Sequence, residues 1–246
     1  MSLFRKPPPL RPLEMLEAAR LLVQHQDWPR ARTCASEAIR LNPALPEAYM
    51  IRAFAARVMG DLEAAIADYS LAIERDPQRG EAWMFRGACK AQMASAATDR
   101  SRARELLSEA HPDYQRASEL KPDDEQAGLA LLELEICLGR YREAVATTGL
   151  WWRRMQHANY KLICAWLGAI AFILAGRPEA KWIHFREFLE AERSRLSATE
   201  WSVVEISRAL ERLPSEPNCD RERLDRVGEI HALFLRHFPA GGPAIR

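Results

Sequence analysis

The sequence predicts an all-α protein, a solenoid of helix-turn-helix repeats ending in degenerate C-terminal helices. Three observations carry this expectation. Pro43 and Pro77 stand 34 residues apart, and the same interval separates Ala38 from Ala72, Ala31 from Ala65, Asp27 from Asp61, Met15 from Tyr49, and Tyr49 from Trp83. Within each period the apolar residues recur at helical spacing, with small ones where two helices would cross closely. A proline closes each period, where its ring and missing N–H prevent a helix from continuing. Matches at one fixed interval mean a repeated structural unit, and a helix pair of this kind buries its face only against its neighbours.

The clearest unit is Pro46 to Arg79, PEAYMIRAFAARVMGDLEAAIADYSLAIERDPQR. Tyr49 is a bulky opener of the first helix, Ala53 the small residue at the crossing and Gly60-Asp61 the turn. Ala65, Tyr69 and Ala72 form the inner stripe of the second helix, and Pro77 stops it. This pattern resembles the tetratricopeptide repeat (TPR), and the resemblance implies a right-handed α-solenoid. Residues 12–45 form the preceding repeat, with Met15, Ala19, Leu22, Ala31, Ala35, Ala38 and Pro43 in matching places. The repeat at 80–124 opens with Trp83 and Gly87, but Ala110, Tyr114, Ala117 and Pro122 follow Ala65, Tyr69, Ala72 and Pro77 by 45 residues, an excess of eleven.

Those eleven residues lie within QMASAATDRSRARELLSEAH, Gln92 to His111. About three whole turns fit in that length, so an insertion here can lengthen helices without rotating the downstream stripe. Ala94 to Asp99 reads as an enlarged turn with Asp99 or Ser101 as N-cap, and Leu106, Leu107 and Ala110 share a helical face. Pro112 is expected to kink or divide the second helix.

Residues 125–158 form a degenerate fourth repeat: Gly139-Arg140-Tyr141 and Ala144 fit, while Thr148 and Trp151 replace an aromatic and a small residue. Residues 159–238 are expected to hold a further helix pair, Asn159 to Leu196 with Gly176-Arg177-Pro178 as its turn, and capping helices at Ser197 to Leu213 and Arg221 to Phe238. A proline-rich arm at 1–11 and a tail at 239–246 flank these elements. Lys6, Pro9 and Pro12 have the spacing of an SH3-type ligand, but a stiff lead-in to the first helix is the simpler reading.

Composition narrows the function classes. With 35 basic against 34 acidic residues and 48% hydrophobic residues, the 246-residue chain has material for a large core and no charge surplus for nucleic acid. Trp151-Trp152-Arg153-Arg154 reads as packed aromatics with solvated arginines, not as a base-stacking site. The five cysteines are dispersed and odd in number, which fits free thiols in a reducing compartment. MSLFRKPPPLRPL lacks an apolar signal core, and the run Leu162 to Ala175 is shorter than the roughly 17 to 25 residues of a membrane span. A cytoplasmic location, no membrane span and no nucleic-acid partner are therefore expected.

No phosphate-binding glycine loop, dinucleotide fingerprint, HExxH or GxSxG motif is present, and the six histidines lack metal-ligand spacing. Cys164 falls in the most apolar segment, where burial would raise its pKa and silence it as a nucleophile. The chain is expected to be no enzyme and to need no metal or cofactor.

The TPR resemblance implies a concave groove lined by the first helix of each repeat, which takes a peptide or a helix. At groove positions stand Leu16 and Arg20 in the first repeat, Met50, Ile51, Phe54, Arg57 and Val58 in the second, and Glu81, Met84 and Phe85 in the third. Ile51, Glu81 and Phe85 occupy places where the co-chaperones of the family hold a peptide's C-terminal carboxylate with asparagine and basic residues, so that clamp is not expected. The apolar lining suits another protein, bound through an apolar peptide or amphipathic helix, and an adaptor or chaperone-like role. Filling of the groove by the chain's own arm, insertion or C-terminal helices is the competing expectation. A self-associating scaffold, a homo-oligomer paired through Trp182, Phe185, Trp201 and Phe234, is the alternative function.

Overall fold

The computed structural model describes residues 11–192 and 220–235, together with Ile206, Ala209, Leu210 and Leu213. The proline-rich arm at 1–10, most of the expected helix Ser197 to Leu213 with Trp201, the breaker containing Cys219, and the C-terminal tail lie outside the described residues. The chain divides into two compact units, one ending at Leu120 and the other beginning at Lys121.

The first unit holds three antiparallel hairpins, α1 (Pro12–Gln24) with α2 (Trp28–Leu41), α3 (Pro46–Val58) with α4 (Leu62–Arg75), and α5 (Gly80–Ala96) with α6 (Arg100–Leu120). Successive hairpins also pack, α2 against α3 and α4 against α5. Helix starts follow local chemistry. Proline stands in the first turn of α1, α2 and α3, where no N–H partner is needed, and the Asp27 and Asp61 side chains accept from Arg30 N and Ala64 N. The alanines at 31, 35, 38, 53, 65 and 72 have no exposed surface, so helix backbones approach closely there. The bulky openers are anchored at their polar tips: Tyr49 OH donates to the Pro43 carbonyl at 3.2 Å and Trp83 Nε1 to the Pro77 carbonyl at 3.0 Å. Each stop proline thus holds the first helix of the next repeat.

The two inner hairpins share a second device that the sequence pattern contains but small-residue spacing does not reveal. Arg52 on α3 makes a bidentate pair with Asp68 on α4, at 2.7 and 2.6 Å. Arg86 on α5 does the same with Asp113 on α6, at 3.0 and 2.6 Å, and Lys90 adds a contact at 2.8 Å. Such forked pairs fix the azimuth of one helix against the other.

The eleven extra residues are all helical extension. α5 has 17 residues against 13 in α3, and α6 has 21 against 14 in α4, while residues 97–99 form a connection as short as residues 59–61. The expected enlarged turn is therefore absent, because four residues join the first helix and seven the second. Asp99 is the N-cap, accepting from Ser101 N at 3.0 Å and Arg102 N at 3.4 Å. Nor does Pro112 divide α6, which runs undivided through it. Pro112 and Ser108 both lie on the exposed side, so the Ser108 carbonyl deprived of its helical donor faces water.

In the second unit α7 (Glu125–Cys137), α8 (Tyr141–Arg154), α10 (Ile183–Ala191) and α11 (Arg221–Leu235) all pack on α9 (Ala158–Leu174). The apolar run expected to be a buried helix is this hub: every residue from Leu162 to Ala171 is buried. Pro178 does not open an α-helix; it precedes a 3-10 turn, Glu179–Lys181, and α10 starts at Ile183. Among the described residues no helix is long and apolar enough to cross a membrane.

Trp182, Phe185 and Phe234, expected to pair between chains, are interior residues, 3%, 2% and 0% exposed. Phe234 stacks flat on Trp166 with ring centroids 4.1 Å apart, and Phe185 meets Trp152 edge-on at 5.1 Å. These aromatics are consumed by closing α10 and α11 onto the rest of the unit.

Candidate peptide-binding face

The first helices of the three N-terminal hairpins, α1, α3 and α5, present the residues expected to line a groove. Leu16 and Met50 are core instead, 4% and 9% exposed. Leu16 fills the seam beside Ala38 and Ala48, and Met50 sits in the cluster of Tyr49, Ala53 and Ala82. Alanines at the crossing leave space there, and the nearest long apolar side chain is drawn in to fill it. Ile51, Phe54, Arg57, Met84 and Phe85 remain part-exposed, Val58 is 44% exposed, and Arg20 and Glu81 reach solvent.

Phe54 and Phe85 come together at the centre of these residues, ring centroids 6.2 Å apart. Trp28, at the start of α2, meets Phe54 edge-on at 5.6 Å, and Tyr69 of α4 backs Phe85 at 5.9 Å. Trp28 belongs to a second helix, so a groove register built only from first helices misses it; its signal is its place directly after the capping Asp27. The Arg57 guanidinium lies over both phenylalanines, 5.4 Å from the Phe54 centroid and 5.5 Å from that of Phe85. Arg20 is tied to Glu47 of the next repeat by two hydrogen bonds of 2.7 and 2.5 Å, and to Glu17 at 2.9 Å. The bond to Arg20 holds the Glu47 carboxyl below its usual range, against the opposing effect of desolvation.

Two thiols and a phenol show what chemistry burial suppresses. Desolvation pushes Cys164 up to about 12 and Cys89 up to about 11, so both are protonated at neutral pH. It also holds the Tyr69 phenol above its usual range, Cys89 adding to the effect and Arg57 opposing it. Among the described residues no group of three or more His, Cys, Asp or Glu side chains could hold a metal ion.

The second unit has an open recess of about 530 Å³ lined by Asp123, Glu125, Gln126, His157 and Tyr160. Glu125 accepts from the backbone N–H groups of Gln156 and His157 at 2.5 and 3.2 Å, and Gln126 Nε2 donates to Tyr160 OH at 2.5 Å. These contacts cap the start of α9 and tie α7 to it.

The tetratricopeptide repeat family model matches residues 16–79. No curated protein matches the sequence. Solved structures do. The thermophilic TPR protein TTC0263 of Thermus thermophilus is 18% identical with a TM-score of 0.52, covering 91% of this chain and 99% of its own. YrrB, described as a TPR protein with an unusual peptide-binding site, is 17% identical with a TM-score of 0.58, over 74% of this chain and 91% of its own. MamA from Desulfovibrio magneticus RS-1 is 14% identical with a TM-score of 0.59, over 76% of this chain and 97% of its own. At such identities the likeness is one of fold. The family signature thus lies in residues 16–79, and the helix pairs on both sides of Leu120 give the chain the fold of these tetratricopeptide repeat structures.

Proposed function

We propose that the protein is a non-enzymatic interaction module, an adaptor or chaperone-like protein that holds an apolar peptide or amphipathic helix on the face of α1, α3 and α5. One observation carries the reading: Phe54, Phe85, Ile51 and Met84 stay part-exposed although the alanine-rich seams beside them are sealed. A protein with no use for that face would be expected to cover its aromatics or replace them with polar residues. YrrB, which shares the fold, is a peptide binder by its description, and that makes peptide recognition the natural use of such a face.

Changing Phe54 and Phe85 together to glutamate tests it. Affinity capture by the full chain followed by mass spectrometry is expected to yield partners that the double variant loses, with its far-ultraviolet circular dichroism unchanged. Equal capture by both proteins would remove the face from the binding site.

A further inference from the structure

Arg57 stands out among the arginines from Arg20 to Arg86. Every other arginine from Arg20 to Arg86 has a carboxylate within 3.8 Å. No carboxylate among the described residues pairs with Arg57. Its Nε is buried without an acceptor, and its guanidinium rests on the Phe54 and Phe85 rings, which are apolar walls and not counter-ions. The polar groups behind it, the Tyr69 phenol and the Cys89 thiol, are both held protonated by burial, so neither supplies a negative charge. A half-buried cation with a buried donor and no anion is costly unless an anion arrives from outside.

We propose that Arg57 is the anion-recognition point of this face, and that the segment bound there presents an aspartate or glutamate side chain flanked by apolar residues. The proposal rests on the reading that the face binds a peptide, and it adds the chemistry of the ligand. The geometry favours a carboxylate. A guanidinium lodged against two rings has fewer orientations open to its fork, and a fork matches two carboxylate oxygens. The phenylalanine rings exclude water from the sides of that contact, and the neighbouring Ile51, Val58 and Met84 offer apolar surface to residues flanking the acid.

The test uses the full chain and its Arg57→Gln variant, each selected against a displayed library of random peptides held at both ends, so that no free C-terminal carboxylate is present. Peptides enriched by the parent protein are expected to place one acidic residue among apolar ones; those enriched by the variant keep the apolar preference and lose the acid. For one such peptide, replacing its acid by the amide and replacing Arg57 by glutamine each weaken binding roughly tenfold, and the two changes together weaken it no further. No acidic preference in the parent, or an equal preference in the variant, overturns the role of Arg57 while leaving peptide binding intact. Binding confined to a second library with free C-termini overturns the side-chain source of the carboxylate. Enrichment of no peptide at all overturns both this proposal and the reading beneath it. Should the glutamine variant lose helicity, Arg57→Lys takes its place: retained acidic preference with weaker affinity is expected, and its loss counts against the proposal.

Discussion

In the first unit the bulky residue of each hairpin stands on the first helix and the small one on the second: Met15, Tyr49 and Trp83 open α1, α3 and α5, while Ala38, Ala72 and Ala117 lie on α2, α4 and α6. In the second unit the order is reversed. At the corresponding places stand Gly128 on α7 and Trp151 on α8, and an added Cβ at Gly128 would come within 2.2 Å of the Trp151 ring. One helix on, a Cβ at Gly168 of α9 would meet the Thr148 methyl at 2.5 Å, so α8 and α9 are also closely packed there. A repeat can therefore keep its turn and lose its signature by moving volume from one helix to the other, because packing density constrains the pair and not the individual position.

The largest effects are expected where that exchange is broken. Trp151 is 1% exposed, so Trp151→Ala should destabilise the second unit by about 3 to 5 kcal/mol, and Gly128→Ala should overpack it by about 1 to 3 kcal/mol. Gly128→Trp combined with Trp151→Ala recreates the order of the first unit and should recover more than half of the loss. Urea unfolding followed by tryptophan fluorescence measures all three proteins. A Trp151→Ala loss under about 1 kcal/mol would show that the ring is not filling the opener's place.

The next comparison lies inside the first unit, between its two forked ion pairs. The Asp113 side chain is 1% exposed and answers both Arg86 and Lys90, whereas that of Asp68 is 9% exposed and answers Arg52 alone. Removing a buried partner strands its cations, so Asp113→Ala should lose about 3 to 5 kcal/mol and Asp68→Ala clearly less. Equal losses in a denaturant titration would mean that burial does not distinguish the pairs.

The second unit has no such forked pair among its described helices, but α7 buries a carboxylate. Glu135 is 4% exposed, and desolvation, with Glu143 adding and Thr147 and Arg140 opposing, raises its pKa to about 7. The folded state then holds a proton that the unfolded chain has released. Stability should fall as pH rises from about 4.5 to about 7, by at most about 1.4 kcal/mol per pH unit, and level off above. Glu135→Gln should match the parent protein near pH 4.5 and exceed it at pH 8. Parallel thermal melts at the two values check this, and a parent protein equally stable at both would refute it.

The contrast between the units also explains what was legible in the sequence. The 34-residue interval marked the hairpins of the first unit, because alanine, proline and glycine at fixed intervals report backbone geometry directly, while the grouping of Phe54, Arg57 and Phe85 on one face came from the resemblance to the repeat family. Leu16 and Met50 were not legible as core, since a helical position one step from a groove looks apolar whether it faces the seam or the solvent. The ion pairs were present in the interval: Arg52 and Arg86 are 34 residues apart, Asp68 and Asp113 are 45 apart. Charged residues are usually assigned to the surface, so a partner that exists only in three dimensions goes unread. Pro112 does not divide its helix, where a strong local rule is met at an exposed position.

The smallest effect tests whether the turns obey local rules alone. Three hairpin turns, after α3, α7 and α9, place glycine at positive φ, Gly60 at 84°, Gly139 at 75° and Gly176 at 66°, and the turn after α1 places Gln26 there at 58°. All four close in the same way: the next residue's N–H reaches back to the helix, as Asp27 N does to Leu22 O at 2.9 Å and Asp61 N to Ala56 O at 2.9 Å. A side chain in the left-handed region is strained by about 1 to 2 kcal/mol, partly offset by the extra freedom glycine gains in the unfolded chain. Gln26→Gly should therefore stabilise by about 0.5 to 1 kcal/mol, and Gly60→Gln should destabilise by about the same. At this chain length each change should shift the melting temperature by about 1 to 4 °C, in opposite directions. No atom lies within 4 Å of a Cβ built on Gly60, so the reciprocal exchange is free of clashes and reads backbone strain alone. A neutral Gly60→Gln would mean that the Asp61 cap and the reaching N–H hold the turn whatever residue stands before them.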